Sequence, residues 1–316
     1  FSDANYDNAI IDYTKAIEIN PNFGEAFFAR GDCYYNQSNY DYALKDFFKT
    51  IVINPNHEFA LNMIGVVYFS KENYNDAITY FNKAIAINNT NGLYYKNLGN
   101  SYRNLKNYNK ALESYNTAIQ SDTEDTEAVK NRAELYQYYL ENRDAAIQDY
   151  TFLISKNPEI TDYYRNRADL YADVKKIDLA EADYSKLISL NPTDDLAFIV
   201  RAYFYTTNEM YAKAIADYTQ AIKLKPTEVN YYLDRASVYK NSGKKDLALI
   251  DLQKANNLDP TSTNAYSQRA FMNLDLENYE SALKDFSKII ELEKTDYHYF
   301  DRANVYEKLK KYDLAE

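Results

Sequence analysis

One cysteine, no tryptophan, two histidines, six glycines and six prolines in 316 residues leave few ways to build a chemical site. A single cysteine excludes an internal disulfide framework. His57 and His298 stand far apart, and neither has metal-ligand spacing with Cys33, so no metal site is expected. Cys33 has no histidine nearby in sequence and occupies a slot held elsewhere by Val67, Leu135, Leu170, Val238 and Val305, so it reads as a small buried hydrophobe. The longest apolar run, IGVVYF at 64–69, falls far short of the roughly 18 residues of a membrane span. Basic residues are outnumbered, and a net charge of −11 argues against nucleic acid as a partner. The acidic stretch SDTEDTE at 121–127 lacks the alternating oxygens and central glycine of a calcium loop and reads as a solvated turn that caps the next helix. No triad, paired-carboxylate cleft or cofactor fingerprint is present, so neither catalysis nor a cofactor is expected.

What the chain has in abundance is tyrosine, 35 in all, and repetition. DYTKAIEINP at 12–21 returns as DYTQAIKLKP at 217–226, with DFFKTIVINP (46–55), DYSKLISLNP (183–192) and DLQKANNLDP (251–260) at the same phase. A period near 34 marks a solenoid, in which each unit packs on its neighbours. Small residues keep this period at Gly31, Gly65, Gly99, Ala133, Ala168, Ala202, Ala236, Ala270 and Ala303. A second series runs Ala9, Ala43, Ala77, Ala111, Ala146, Ala180, Ala214, Ala248, Ala282 and Ala315. Each small residue lies in a stripe of helical period, such as Tyr95, Leu98, Gly99 and Tyr102, so each unit holds two helices of about 13 residues. A short polar turn, such as SNYD at 38–41, joins them into a hairpin. All six prolines fall just past the second helix, where they end it. Of the glycines, three fill the small slot, Gly24 and Gly92 open helices and Gly243 sits in a turn, leaving none for a phosphate-binding loop.

The slots filled by Gly31, Tyr34, Ala43, Phe47 and Pro55, refilled in every later unit, resemble the tetratricopeptide repeat family along the whole chain. The departures are local: Asn89, Thr123 and Lys294 replace proline, Asn273 replaces a tyrosine and Leu252 replaces an aromatic. An extra residue near 138–142 lengthens one turn. The resemblance implies an all-α fold, a right-handed superhelical solenoid of antiparallel helix hairpins (an alpha-alpha superhelix). It divides the chain as one array: a partial repeat 1–23, full repeats 24–57, 58–91, 92–125, 126–160, 161–194, 195–228, 229–262 and 263–295, and a partial repeat 296–316.

The repeats report their own covariation. Arg30, Arg132, Arg167, Arg201, Arg235 and Arg269 precede the small slot in the units where Asp46, Asp149, Asp183, Asp217, Asp251 and Asp285 precede the second-helix aromatic. Ile64 and Leu98 stand instead with Tyr80 and Ser114. Ion pairs within each unit are therefore expected, as architecture rather than ligand contacts.

The family implies a concave surface, lined by the first helices, that holds peptides or partner helices. By helical phase its candidates are Phe28, Tyr35, Phe59, Phe69, Leu196, Ile199 and Tyr203, with a polar middle of Lys96, Asn97, Asn100, Arg103, Lys130, Asn131, Glu134, Asp162, Arg165, Asn166 and Asp169. Asn97, Asn131 and Asn166 share one slot and would form an amide ladder for a peptide backbone. Lys96, Asn100 and Asn131 match three of the five residues of the carboxylate clamp in the co-chaperone branch, but Asp162 and Asn166 stand where cations belong. The expected partner is a protein or peptide of unknown identity, with basic segments favoured by the acidic balance. Two alternatives remain: the recognition arm of a larger enzyme such as a glycosyltransferase, and a self-assembling spacer. Phe1 is not an initiator methionine, and the chain reads as starting inside a first helix and ending in a second without capping helices. Both features suit a piece of a longer protein or end-to-end self-association.

Overall fold

The computed structural model describes residues 3–309, with side chains from residue 5 onward. Ala315 and the end of the last partial repeat lie outside the described residues. Among the described residues the chain is helical throughout, without strands. Two compact units, Phe1–Tyr163 and Tyr164–Glu316, divide it inside α10.

The first unit carries α1 (Asp3–Ile19), α2 (Gly24–Asn36), α3 (Tyr40–Ile53), α4 (Glu58–Ser70), α5 (Tyr74–Ile87), α6 (Gly92–Asn104), α7 (Tyr108–Ser121), α8 (Thr126–Tyr138) and α9 (Arg143–Lys156). The dividing helix is α10 (Thr161–Asp173). The second unit continues with α11 (Ile177–Leu190), α12 (Asp195–Thr207), α13 (Tyr211–Leu224), α14 (Val229–Asn241), α15 (Lys245–Leu258), α16 (Thr263–Asp275), α17 (Tyr279–Leu292) and α18 (Asp296–Lys308). Even-numbered helices are the first helices of the repeats and odd-numbered ones the second. The fold class is the α–α superhelix, an all-α solenoid of helix hairpins. One expectation falls at the start of the chain. Helix α1 carries Ala9 of the second small series and so runs as a second helix from its first described residue, and the residues before Asp3, where a first helix would end, lie outside the described residues.

Each hairpin turn obeys one local rule. Helix α2 ends with Ser38 at φ 60°, and the Asn39 N–H reaches back to the Tyr34 carbonyl at 2.8 Å, which closes the orphan carbonyls of the last turn. The same left-handed slot recurs at Glu72, Lys106, Glu141, Lys175, Glu209 and Glu277, and only Gly243 fills it with glycine. The next residue then starts the second helix: Asn73 and Asn107 cap α5 and α7 through their side chains. The turn before α9 is one residue longer, as the sequence indicated.

The core forms where small residues meet rings. Phe47, Phe81 and Tyr115 lie so close to Gly31, Gly65 and Gly99 that a Cβ added there would meet ring atoms at 2.8, 2.6 and 2.6 Å. Later units carry Ala133, Ala202 and Ala270 in that slot, all fully buried. Cys33 is buried, and burial pushes its thiol up from the ordinary value, as suits a packing residue.

Candidate functional site

Six arginine–aspartate pairs stand within single repeats, each a fork of Nε and a terminal nitrogen on both carboxylate oxygens. Arg201, for example, donates to Asp217 at 2.7 and 2.8 Å. The aspartates are nearly sealed from solvent and the arginine stems are about one-sixth to one-fifth exposed. Sequence reasoning missed the third arm. The remaining terminal nitrogen donates to a residue 16 positions earlier, in the preceding repeat: Arg30 to Thr14, Arg132 to Asn116, Arg201 to Ser185, Arg235 to Thr219, Arg269 to Gln253. The guanidinium thus fastens a hairpin internally and to its predecessor. The sequence signal for this arm is partial: 16 positions before Ile64 stands Phe48, but 16 before Leu98 the polar Asn82 remains. In these five arginines Nε and both terminal nitrogens are each engaged by an acceptor of the protein itself.

In the first unit the first helices of successive repeats touch one another, α2 with α4, α4 with α6 and α6 with α8, more closely than the second helices do. They line the inner face. On it Tyr35, Val66, Phe69, Ser70, Phe81, Asn97 and Asn100 surround a cavity of about 200 Å³. None of these seven side chains is charged. Tyr35 packs on Tyr40 and Phe69 on Tyr74, so second-helix rings back the apolar wall.

The polar middle is more internally bonded than its sequence implied. Asn97 donates to the Asn62 carbonyl oxygen at 3.0 Å, and Asn131 donates to that of Asn100 at 3.1 Å. Asn100 also accepts from the Tyr115 hydroxyl at 2.7 Å, which fixes its amide with the NH2 end turned away from that oxygen. In this unit two of the ladder amides are each tied by one internal bond, in the pairs Asn62–Asn97 and Asn100–Asn131. Asn62, invisible to the slot argument, is the missed partner. Asn166, half-buried, belongs to the second unit.

Lys96 departs furthest from expectation. It is buried, with its ammonium 3.1 Å from Asp125 and 2.7 Å from Glu127. Burial disfavours its charge, but Glu127 and Asp125 outweigh that and hold the ammonium above its ordinary value. Its ammonium is thus already paired with two carboxylates of the protein. Asp125 also caps α8, accepting from the Glu127 and Ala128 N–H groups, so the acidic stretch at 121–127 does cap a helix. Arg103 pairs with Glu134 at 3.3 Å, and Lys130 lies 3.8 Å from the same carboxylate.

Of the apolar candidates, Phe59, Leu196 and Tyr203 are exposed. Phe28 is half-buried against His57, with ring centroids 4.8 Å apart, and Ile199 packs against the core of the second unit. His57 itself caps α4, its Nδ1 accepting the Ala60 N–H, and so has a structural role. In the second unit Asp162 is not included, since it precedes the division, while Arg165 and Asp169 lie together on the first-helix face. Burial raises the Asp169 carboxyl above the usual range, against the donated Tyr184 hydroxyl and the nearby Arg165 charge. Among the described residues no cluster of His, Cys, Asp and Glu is placed to hold a metal ion, and no helix is long and apolar enough to cross a membrane.

Models of the tetratricopeptide repeat match residues 2–23, 24–57, 59–91, 93–122, 135–195, 197–228 and 229–262. No curated protein matches the chain at a significant level. Among solved structures, the chain is similar to a tetratricopeptide repeat protein of Parabacteroides merdae, 24% identical over 82% of this chain and 98% of that one, with a TM-score of 0.52. The C-terminal part of a TPR repeat-containing protein from Cytophaga hutchinsonii is 20% identical over 74% and 96%, with a TM-score of 0.62. YrrB, described as a TPR protein with an unusual peptide-binding site, is 24% identical over 60% and 97%, with a TM-score of 0.51. At these identities the likeness carries the fold alone.

Proposed function

We propose that this chain, which belongs to the tetratricopeptide repeat family and is in general terms a protein-interaction scaffold, works without catalysis by holding an extended peptide segment of a partner on its first-helix face. The observation that carries this reading is the uncharged cavity of the first unit, lined by Tyr35, Val66, Phe69 and Phe81 together with the amides of Asn97 and Asn100. A ring-lined hollow of about 200 Å³ takes one apolar side chain. The two amides keep spare donors and acceptors after their internal bonds, and these suit the main chain on either side of that residue. YrrB's peptide-binding site fits the same use of the fold.

The test is selection of random peptides on phage against the whole chain, followed by titration of the enriched peptides. The variant Asn97→Ala, checked for unchanged helix content by circular dichroism, should weaken peptides seated in the first unit by about fivefold, the loss of one hydrogen bond near 1 kcal/mol. Enriched peptides that bind this variant and Phe69→Ala as tightly as the wild type would refute the site. Mass rising with concentration in ultracentrifugation, with no peptide enriched, would favour the self-assembling spacer.

A further inference from the structure

Asn273 of α16 stands in a slot that holds tyrosine in the other repeats, among them Tyr34, Tyr102 and Tyr205. Ser281, in the first turn of α17, stands where those same repeats carry Tyr42, Lys110 and Lys213. Elsewhere the two slots fill the space between them. The Tyr34 and Tyr42 rings pack 5.3 Å apart, and the Lys110 and Lys213 ammoniums lie over the Tyr102 and Tyr205 rings, each at 5.3 Å. Asn273 and Ser281 are both too short to do so, and a cavity of about 290 Å³ opens beside them. Leu249 and Gln253 of α15, with Arg269, Lys284 and Asp285, complete its walls. It lies between the second helices α15 and α17, over α16, and so on the side of the array away from the first-helix face.

Two polar groups at this cavity have nothing to bind. Asn273 is 6% exposed, and its side-chain amide makes no hydrogen bond among the described residues. A buried amide without a partner is costly. Lys284 is exposed, and it too makes no ion pair or hydrogen bond among the described residues. Arg269 adds charge. The guanidiniums of Arg167, Arg201 and Arg235 lie over the tyrosine four residues later, but Arg269 has Asn273 there and lies over Tyr266 instead, at 5.4 Å. The one carboxylate in the wall, Asp285, is 3% exposed and is already held by the Arg269 fork. Two cations thus face one carboxylate across the cavity. Charges more than roughly 8 Å away are largely screened at physiological ionic strength, so this local surplus outweighs the chain's net −11.

We propose that this cavity binds a phosphate-sized oxyanion, free or carried as a phosphate monoester. Lys284 supplies the ion pair, the Asn273 amide and the Ser281 hydroxyl supply neutral donors, and Arg269 contributes its field. Donors from two helices and a cation at the rim approach from several directions, which suits a tetrahedral anion better than a planar carboxylate. The site lies apart from the peptide groove and does not depend on that reading.

The test is a titration of the whole chain, followed by amide NMR near neutral pH and physiological salt. Inorganic phosphate should shift the resonances of α16 and α17 with a dissociation constant of about 1 mM or tighter. Lys284→Gln, a change at an exposed residue, should weaken binding at least tenfold, the loss of a charge-assisted hydrogen bond. Asn273→Tyr restores the ring of the other repeats, so it should keep or raise the melting temperature and abolish binding. Lys45→Gln removes the lysine of the equivalent slot in α3, where Tyr34 and Tyr42 close the space, and should change nothing. A phosphoserine peptide that binds more tightly than inorganic phosphate, while its unphosphorylated form does not bind, would make the natural ligand a partner's phosphate ester. Equal affinity would make it the free ion. Shifts scattered over surface lysines, or affinity unchanged in both Lys284→Gln and Asn273→Tyr, would overturn the inference.

Discussion

Removing Asp217 alone should destabilise the second unit far more than removing both members of its pair. Asp217 is 5% exposed and accepts two hydrogen bonds from Arg201, at 2.7 and 2.8 Å. Arg201 is held further by Ser185 at 2.9 Å and lies 5.6 Å over the Tyr205 ring. Burial works against its charge, and Asp217 outweighs that. Breaking a buried ion pair by removing one partner typically costs about 3–5 kcal/mol. Ser185 and Tyr205 remain to shelter the guanidinium, so Asp217→Ala should fall near the low end, about 2–3 kcal/mol. Arg201→Leu strands a sealed carboxylate and should reach about 3–5 kcal/mol. The double variant Arg201→Leu/Asp217→Ser recreates the Leu98 and Ser114 combination that the chain already uses, and should cost no more than about 1 kcal/mol. Urea unfolding followed by circular dichroism gives the midpoints. Repeat arrays open in parts, so amide exchange over α12 and α13 should report the loss locally. A double variant no more stable than the worse single one, or a cost for Asp217→Ala below about 0.5 kcal/mol, would refute the reasoning, since it would mean the pair carries no coupling.

Glu72 is exposed at φ 59°, so Glu72→Gly should relieve a left-handed turn and raise stability by about 0.5–1 kcal/mol, read as a higher melting temperature. In contrast, Gly65→Ala should destabilise by about 1–2 kcal/mol, because its Cβ would meet the Phe81 ring at 2.6 Å. Alkali should unfold the protein cooperatively. Burial raises the Tyr94 hydroxyl, with Glu58 adding to it, and the Tyr218 hydroxyl, each to about 12. Unfolded tyrosine ionises near pH 10. A raised folded pKa gives stability that is intact below about pH 10 and lost as pH climbs toward 12. Absorbance at 295 nm should therefore lag the free-tyrosine curve and then rise together with loss of helix. Ionisation along the free-tyrosine curve with helix retained would show those hydroxyls to be open.

The hairpins and the arginine–aspartate pairing were legible because both recur. A period of 34 exposes which slots change together, and Ile64 with Tyr80 served as an internal control. The third arm of each arginine was not legible in the same way, since the position 16 residues earlier turns apolar before Ile64, at Phe48, but stays polar before Leu98, at Asn82. The inner face was less legible. Lys96 has the sequence position of a ligand-binding cation, yet Asp125 and Glu127 of the following turn and helix capture it. Asn97 and Asn131 share a slot but bond to Asn62 and Asn100, which do not share one with each other. A slot assigns a side chain to a face and leaves its bonding partner open.

The sequence by itself determined the helices, their ends, the hairpin, the repeat length and the charged staples, because each depends on residues at fixed separations along one chain. Only the tertiary structure decided which polar groups of the inner face are already spent and where space remains. Asn273 and Ser281 look like two unrelated polar substitutions in two helices. They become one cavity because packing places α15, α16 and α17 around a common point, and a void is a property of all its walls at once.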